Sequence, residues 1–309
     1  MNVNLNKKFI YFFEKYFFCK FVKKKINKMK ENKLKSLVRL LDDPDENIYN
    51  IIEKNILDEG DKAIFPLEKL ESYGNKLLEN RIKNILININ FSSTLNNFKI
   101  WTNSDEKNLL DALFLIAKIN DKNIGFEKIK SEINKITNVF LEIYNGNLTP
   151  LLKVKLLNHI FFNIYSFFAK MENYKIPESF FINSILENKS GNVISLCILY
   201  SIISNILNIP VFCVKLPRNF FLIYKDKNNI FYINPLNKGT ISGKKEVDIF
   251  IEEIKEKSRP EYFLPIKNDE IIYELLEILI HSCKKSDNKK EANEFQKFQN
   301  LINLNKKHY

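Results

Sequence analysis

The sequence predicts a mostly helical α+β protein, and three observations lead to this fold class. First, residues 193–207 follow Gly191 and are apolar nearly all round, which is typical of a helix buried inside a core. Second, strand-like runs follow at 210–216, 219–224 and 230–233. Third, helical apolar spacing recurs on both sides of this region. We therefore expect a buried central helix with a small antiparallel sheet, flanked by α-helical hairpins.

Residues 184–240 resemble a known family. The segments ILENKSGNVISLCILY, LNIPVFCVKLPRNFFLIY and FYINPLNKG are similar, in order and spacing, to the bacterial SirB-type branch of the transglutaminase-like, papain-related superfamily. Looser similarity extends from about residue 33 to residue 303. The resemblance implies a transglutaminase-like core in which a catalytic Cys begins the central helix, a His follows on the next strand, and an Asp follows on the strand after that.

The catalytic positions implied by this resemblance carry the wrong residues for the chemistry. A thiol acyl-transfer site needs a nucleophile, an imidazole base and a group that orients the base. The nucleophile position falls on Val193, which cannot attack, and the imidazole position falls on Asn219, whose amide has no proton affinity near neutral pH. The orienting position falls on Asn234, which could still serve. We expect these three residues to converge at the head of the central helix without catalytic activity.

Two nearby residues keep an enzymatic alternative open. Cys197 lies four residues beyond Val193 on the same helix face, and Ser195 lies close to the helix start. Either could serve an atypical thiol or serine hydrolase or acyl transferase. The favoured interpretation is structural, because free cysteine is among the most buried residue types and no His lies near Ser195 in sequence. Cys213 has the same structural interpretation.

Composition limits the compartment and the cofactors. A hydrophobic content of 45% with 26 Phe in 309 residues argues against disorder over most of the chain. The cysteines show no zinc or redox spacing, which suits a reducing cytoplasm. The histidines lack ligand partners at metal-binding spacing, so we expect neither a metal nor a cofactor. His159 is interpreted as a histidine of the core or as one that supports a neighbouring site residue. The cysteines are Cys19, Cys197, Cys213 and Cys283, and the histidines are His159, His281 and His308.

The net charge of +11 would favour nucleic acid or an anionic membrane as a partner. The lysines are spread along the chain without an RNA-binding signature, however, so nucleic acid is not the expected partner. Residues 9–25 combine aromatic and basic side chains, and contact with a membrane surface through them is kept as an alternative. Their charges argue against a signal peptide and a spanning helix. Translation could start at Met29 instead of Met1.

The expected organisation has four parts. Residues 1–32 are a basic aromatic extension, and residues 33–100 are a HEAT-like helical hairpin region. Residues 101–257 are the transglutaminase-like core, and residues 258–309 are a tetratricopeptide-like helical hairpin. Since the core lacks its catalytic residues and the flanking parts suit protein contacts, the predicted function is that of a protein-interaction or regulatory scaffold with an unidentified protein partner.

Local signals predict the bounds of several elements. The acidic residues at 42–45 are well placed to cap a helix, and 101–105 form a junction in which Ser104 can cap a helix that begins at Asp105. Thr149 and Pro150 open a helix that runs to about Phe168. Residues 241–246 are typical of a cap and a helix start, and the C-terminal hairpin is expected to consist of helices at 269–281 and 288–304.

Overall fold

The computed structural model describes residues 36–71, 76–144, 146–170 and 174–306. The extension at 1–32, including Cys19 and Met29, lies outside the described residues, as does His308. Among the helices of the described ranges, none is both long and apolar enough to cross a membrane. The chain divides into two compact units, Met1–Ser93 and Thr94–Tyr309.

The first unit is helical. Asp45 caps its first long helix, as the sequence predicts, because its Oδ1 accepts a hydrogen bond from the Asn47 N–H at 2.8 Å. Gly60 ends this helix with a positive φ of 58°, a conformation that glycine adopts at little cost. The helices are α1 (Glu46–Glu59), α2 (Ile64–Glu71) and α3 (Lys76–Asn103), and the division between the units falls within α3. Their core includes Val38, Leu41, Ile52, Ile56, Leu67, Ile82 and Ile85.

One buried arginine connects the start of this unit to α3. The guanidinium of Arg81 donates to the carbonyl oxygens of Leu41 at 2.9 Å and Asp43 at 2.6 Å. It also pairs with Glu46 at 2.7 Å and lies over the ring of Tyr49. The planar fork of arginine suits several acceptors at once. A single side chain thereby satisfies carbonyl groups at the end of the Leu40–Asp42 turn and holds α1 against α3.

The second unit contains the remaining helices. Thr149 caps α6 and Pro150 occupies its first position, as predicted. The helix expected to begin at Asp105 begins instead at Leu109, because the side chain of Asn108 accepts from the N–H groups of Leu110 and Asp111. The helices are α4 (Leu109–Asn120), α5 (Phe126–Ile143), α6 (Pro150–Asn158), α7 (Ile182–Asn188), α8 (Val193–Ile206), α9 (Lys244–Glu253), α10 (Asn268–Lys285) and α11 (Lys289–Lys306).

The central helix and its sheet agree with the prediction, and the mostly helical α+β class is confirmed. Helix α8 is buried at every position from Val193 to Ser204. The sheet has the order β3-β4-β5-β6, and neighbouring strands are antiparallel. A helix start was expected at Ile241, but this residue lies in the last strand of the sheet. The strands are β3 (Val211–Leu216), β4 (Asn219–Lys225), β5 (Ile230–Asn234) and β6 (Thr240–Ser242).

The two faces of this sheet have different neighbours. Val214, Phe221 and Tyr232 share one face and pack with Val247 and Ile251 of α9. Successive side chains of a strand point to opposite faces, so Cys213, Leu222 and Ile233 lie on the other face. Helix α8 packs against that second face, where the Ser201 hydroxyl donates to the Val211 carbonyl at 3.1 Å. The sheet is therefore enclosed between the central helix and α9.

Helix α6 does not run to Phe168 as expected. It ends at Asn158, and a π-helical turn, His159–Ile164, follows. Val154, Leu157 and Phe161 occupy the buried face, which leaves His159 exposed. The interpretation of His159 as a core histidine is therefore wrong.

Two short elements complete the second unit. Strand β1 (Phe168–Ala169) pairs in parallel with β2 (Ser190–Gly191), immediately before the central helix. At the other end of the chain α10 and α11 pack together as the predicted helical hairpin, and each helix ends a few residues later than expected. Its tetratricopeptide-like character stays a prediction.

Candidate functional site

The head of the central helix is closed by packing and hydrogen bonds. The Asn192 side chain is fully buried, and its Oδ1 accepts from the Ser195 N–H at 3.0 Å. Its amide nitrogen donates to the carbonyl and hydroxyl oxygens of Ser179 at 3.2 and 3.3 Å. A Cβ added to Gly191 would lie 3.1 Å from Ile185 and 3.2 Å from the Ser179 carbonyl, so the chain approaches the helix through a tight space.

Val193 occupies the first helical position and has no exposed surface. A helix N-terminus is the environment that lowers a thiol pKa and prepares it for attack. Here the side chain at that position is aliphatic. The geometry at the helix head therefore fits a nucleophile, but the sequence supplies none there.

The alternative nucleophiles are sealed inside the core. Cys197 has no exposed surface, and burial raises the pKa of its thiol well above the ordinary value, so the thiolate is disfavoured. Burial likewise raises the pKa of Cys213 to about 12. Ser195 is fully buried, and its hydroxyl has no hydrogen-bond partner among the described residues. None of these groups combines exposure with activation.

Asn219 and Asn234 are both used in local backbone contacts. The Asn219 Oδ1 accepts from the Phe220 N–H at 2.8 Å, and the Asn234 Oδ1 accepts from the Leu236 N–H at 3.0 Å, where it caps a short 3-10 turn. Strand alternation places both residues on the α9 face of the sheet, while α8 packs on the opposite face. The sheet thus brings the two amides to one face, and their convergence with Val193 stays a prediction.

A polar connection that sequence reasoning missed lies in the middle of the central helix. The buried Tyr200 hydroxyl donates to Asn158 Oδ1 at 2.8 Å, and the Asn158 amide donates to the Gly239 carbonyl at 2.6 Å. Gly239 has a φ of +76°, and a Cβ there would lie 2.6 Å from both Asn158 and Phe162. The close approach requires glycine. Its position after Asn234-Pro235 in the sequence was the available signal.

A large open groove lies near the opposite end of the central helix. A groove of 1010 Å³, here called the tail groove, runs beside Asn205, Ile206, Pro210 and Phe212 and the facing surfaces of α4 and α5. Ile206 and Phe212 are 47% and 42% exposed and give the groove an apolar wall. Amide side chains of Asn134, Asn205, Asn208 and Asn268 line its other walls.

The described residues offer no cluster of metal ligands. No group of three or more His, Cys, Asp or Glu side chains in the described ranges could hold an ion. His159 and His281 are both exposed and lie outside the core.

Comparison with family models gives a match to the transglutaminase-like superfamily over residues 127–277. This stretch resembles a transglutaminase-like domain. The match begins in α5, contains the central helix and the whole four-stranded sheet, and ends in α10, so it extends past the core boundary expected at residue 257. The expected transglutaminase-like fold is confirmed, whereas the SirB-type branch stays a prediction.

The chain is also similar to curated bacterial proteins named UPF0162. It is 24% identical to the one from Pasteurella multocida over 115 residues, which cover 37% of this chain and 44% of the relative. The Xylella fastidiosa (strain 9a5c) protein is 24% identical over 172 residues, 54% of this chain and 57% of the relative. The Buchnera aphidicola protein is 27% identical over 146 residues, 45% and 53% respectively.

The chain spans about half the length of the curated relatives it matches. Their printed names give a family designation and no activity. No solved structure gives a significant match.

Proposed function

We propose that this chain is a catalytically inactive transglutaminase-like protein that acts by binding another protein, as a scaffold or regulator. The observation that carries the proposal is Val193, an aliphatic, fully buried residue at the first position of the central helix. The family resemblance puts the nucleophile there, and a valine side chain cannot act as one.

The burial of Cys197 and Ser195 supports this proposal. A catalytic thiol must be reachable by substrate and must ionise near neutral pH. Cys197 has no exposed surface and a raised thiol pKa, and Ser195 has no imidazole among its hydrogen-bond partners in the described structure. An enzyme that uses either residue would need the helix head to open.

The tail groove is the surface that we assign to the partner. It combines exposed Ile206 and Phe212 with amide side chains that can hydrogen-bond to a peptide backbone. Glu106 and Lys130 are its charged lining residues, one of each sign. Such a mixed apolar and amide lining suits an uncharged segment of a protein better than a nucleic acid.

Thiol labelling tests the absence of catalysis. The native protein is treated with a fluorescent iodoacetamide, and the labelled sites are identified by mass spectrometry before and after unfolding in guanidinium. We expect Cys197 to be labelled only after unfolding, as for the equally buried Cys283, which serves as the internal control. Rapid native labelling of Cys197, together with an acyl-transfer or hydrolase activity that Cys197→Ala abolishes, would refute the proposal. A fluorophosphonate probe with Ser195→Ala makes the same test for the serine.

Affinity purification with matched variants tests the partner. The full chain is compared with Ile206→Asn/Phe212→Asn, and Ile230→Asn is the control, since Ile230 is 56% exposed but does not line the groove. We expect one protein to be retained by the wild type and the control and lost by the double variant. Binding that survives the double variant would remove the groove assignment, and no specific partner from the native lysate would refute the scaffold function.

A further inference from the structure

A separate cleft on the second unit has a cationic lining that the proposed function does not use. It has a volume of 330 Å³ and lies between α6 with its π-helical turn and the chain that joins β5 to β6. Lys155, His159 and Asn163 follow one another at four-residue spacing, which places them along the same side of the helical segment. Lys238 faces them from the turn after β5.

The charges of this cleft are of one sign. Its described lining residues include no Asp or Glu. Within the described part of the chain, neither Lys155 nor Lys238 makes an ion pair, unlike Lys135 and Lys215, which contact Glu132 and Glu274. Two ammonium groups near one another and without a counter-charge repel, so an anion between them would be stabilised.

The imidazole of His159 adds a further polar group to the cleft. The Asn163 side-chain amide lies 3.1 Å from His159 Nδ1. This contact occupies Nδ1, which leaves Nε2 as the ring nitrogen available to a ligand. The cleft therefore combines an imidazole with two lysine side chains, a set of groups that suits the oxygen atoms of a tetrahedral oxyanion.

The walls of the cleft are held from the core. Asn158, which also lines it, accepts from the buried Tyr200 hydroxyl and donates to the Gly239 carbonyl. The glycine allows the turn with Lys238 to lie directly against α6, because a Cβ at residue 239 would collide with Asn158 and Phe162. The helical wall of the cleft includes the π-helical turn that follows α6, and π-helical turns are frequently found at functional sites. The two lysine-bearing segments are thus fixed before any ligand binds.

From this arrangement we infer that the cleft is a binding site for a phosphate group, held by Lys155 and Lys238 with the imidazole of His159. The inference is independent of the partner-binding function, since the tail groove and this cleft share no lining residue. The phosphate could belong to a small phosphate ester or to a phosphorylated peptide.

The test is a titration of the full chain with inorganic phosphate at constant ionic strength, followed by isothermal calorimetry and by amide shifts in heteronuclear NMR. We expect saturable binding, with shifts at residues of α6 and of the β5–β6 turn. Lys155→Gln and Lys238→Gln should each weaken it about tenfold, which corresponds to about 1.4 kcal/mol. Lys122→Gln removes the same charge from an exposed turn outside the cleft and should leave affinity within about twofold. Lys155→Arg retains the charge and should restore binding.

Several outcomes would overturn the site. Shifts that rise linearly without saturation, or equal losses in Lys122→Gln and the cleft variants, would show only general attraction to a basic protein. Glycerol phosphate and a phosphoserine peptide, with its unphosphorylated form as control, then separate the two sources, and tighter binding of either one supports the site. If none of the three phosphate probes binds, the inference is wrong.

Discussion

The two ends of the central helix differ in what surrounds them. At the head, Asn192, Val193 and Ser195 have no exposed surface and the space is filled. Near the tail, Asn205 and Ile206 are exposed and adjoin a groove of 1010 Å³. The family resemblance places the chemistry at the head, but a large groove lies at the other end of the helix. A shared fold therefore does not locate the functional surface, which has to be found from the side chains themselves.

The largest stability difference between the two ends should come from Asn192→Ala. The change removes the cap of the central helix and the buried hydrogen bonds from its amide to Ser179. Loss of a cap and of a buried hydrogen bond together should lower the free energy of unfolding by about 2–3 kcal/mol. Equilibrium urea denaturation measures the change.

The matched variant at the tail is Asn205→Ala. Its side chain is exposed, so we expect the free energy of unfolding to change by no more than about 0.5 kcal/mol. Equal effects of the two substitutions would remove the distinction between a closed head and an open tail.

Alkaline pH should destabilise the protein through two buried thiols, Cys197 in the central helix and Cys213 in β3. Burial raises the folded-state pKa of Cys197, and it raises that of Cys213 to about 12. In the unfolded chain the pKa of a cysteine thiol is about 8.5. Above that pH the unfolded state binds fewer protons than the folded state. Stability should therefore fall, with a limiting slope of about 1.4 kcal/mol per pH unit for each thiol.

Urea denaturation between about pH 8 and about pH 9.8 measures this slope below the range in which ordinary tyrosines ionise. Cys213→Ala should reduce the slope by the contribution of one thiol, at most about 1.4 kcal/mol per pH unit. A slope that the substitution leaves unchanged would mean that Cys213 is accessible to solvent and ionises normally in the folded protein.

A smaller effect than that of Asn192→Ala is expected from Tyr200→Phe, midway along the helix. The substitution keeps the buried ring and removes the hydrogen bond to Asn158. A cost of about 1 kcal/mol in the free energy of unfolding is expected. Tyr144→Phe removes an exposed hydroxyl contact with Gly146 and should cost close to nothing. If the two variants behave alike, the connection from Tyr200 to Gly239 contributes little.

The central helix and the first three strands of the sheet could be predicted because each has a strong local pattern. Residues 193–207 are apolar on all sides, and β3, β4 and β5 are rich in β-branched and aromatic residues. The start of α6 was also readable, because Thr149-Pro150 supplies both a cap and a suitable first residue. These features depend on neighbours in sequence.

Other features depend on distant residues and could not be predicted in this way. Strand β6 is three residues long and exists through its pairing with β5. Helix α3 continues through Trp101, a predicted junction, because that ring is buried beside Phe98 and donates to the Asn108 carbonyl. The tail groove and the cationic cleft are each assembled from several separate segments. At the head of the central helix, the type of each residue could be read from the sequence, but how deeply its side chain is buried could not be predicted.

Arg81 has a consequence for how the first unit loses its structure. Its guanidinium contacts Leu41, Asp43 and Glu46, which precede it by 40, 38 and 35 positions in sequence. Releasing the segment around Leu41 would leave the buried guanidinium without acceptors. Separating this segment from α3 therefore costs free energy. Slow amide exchange in α1 and α3 should therefore be lost together, as one cooperative opening and not as a succession of frayed helices.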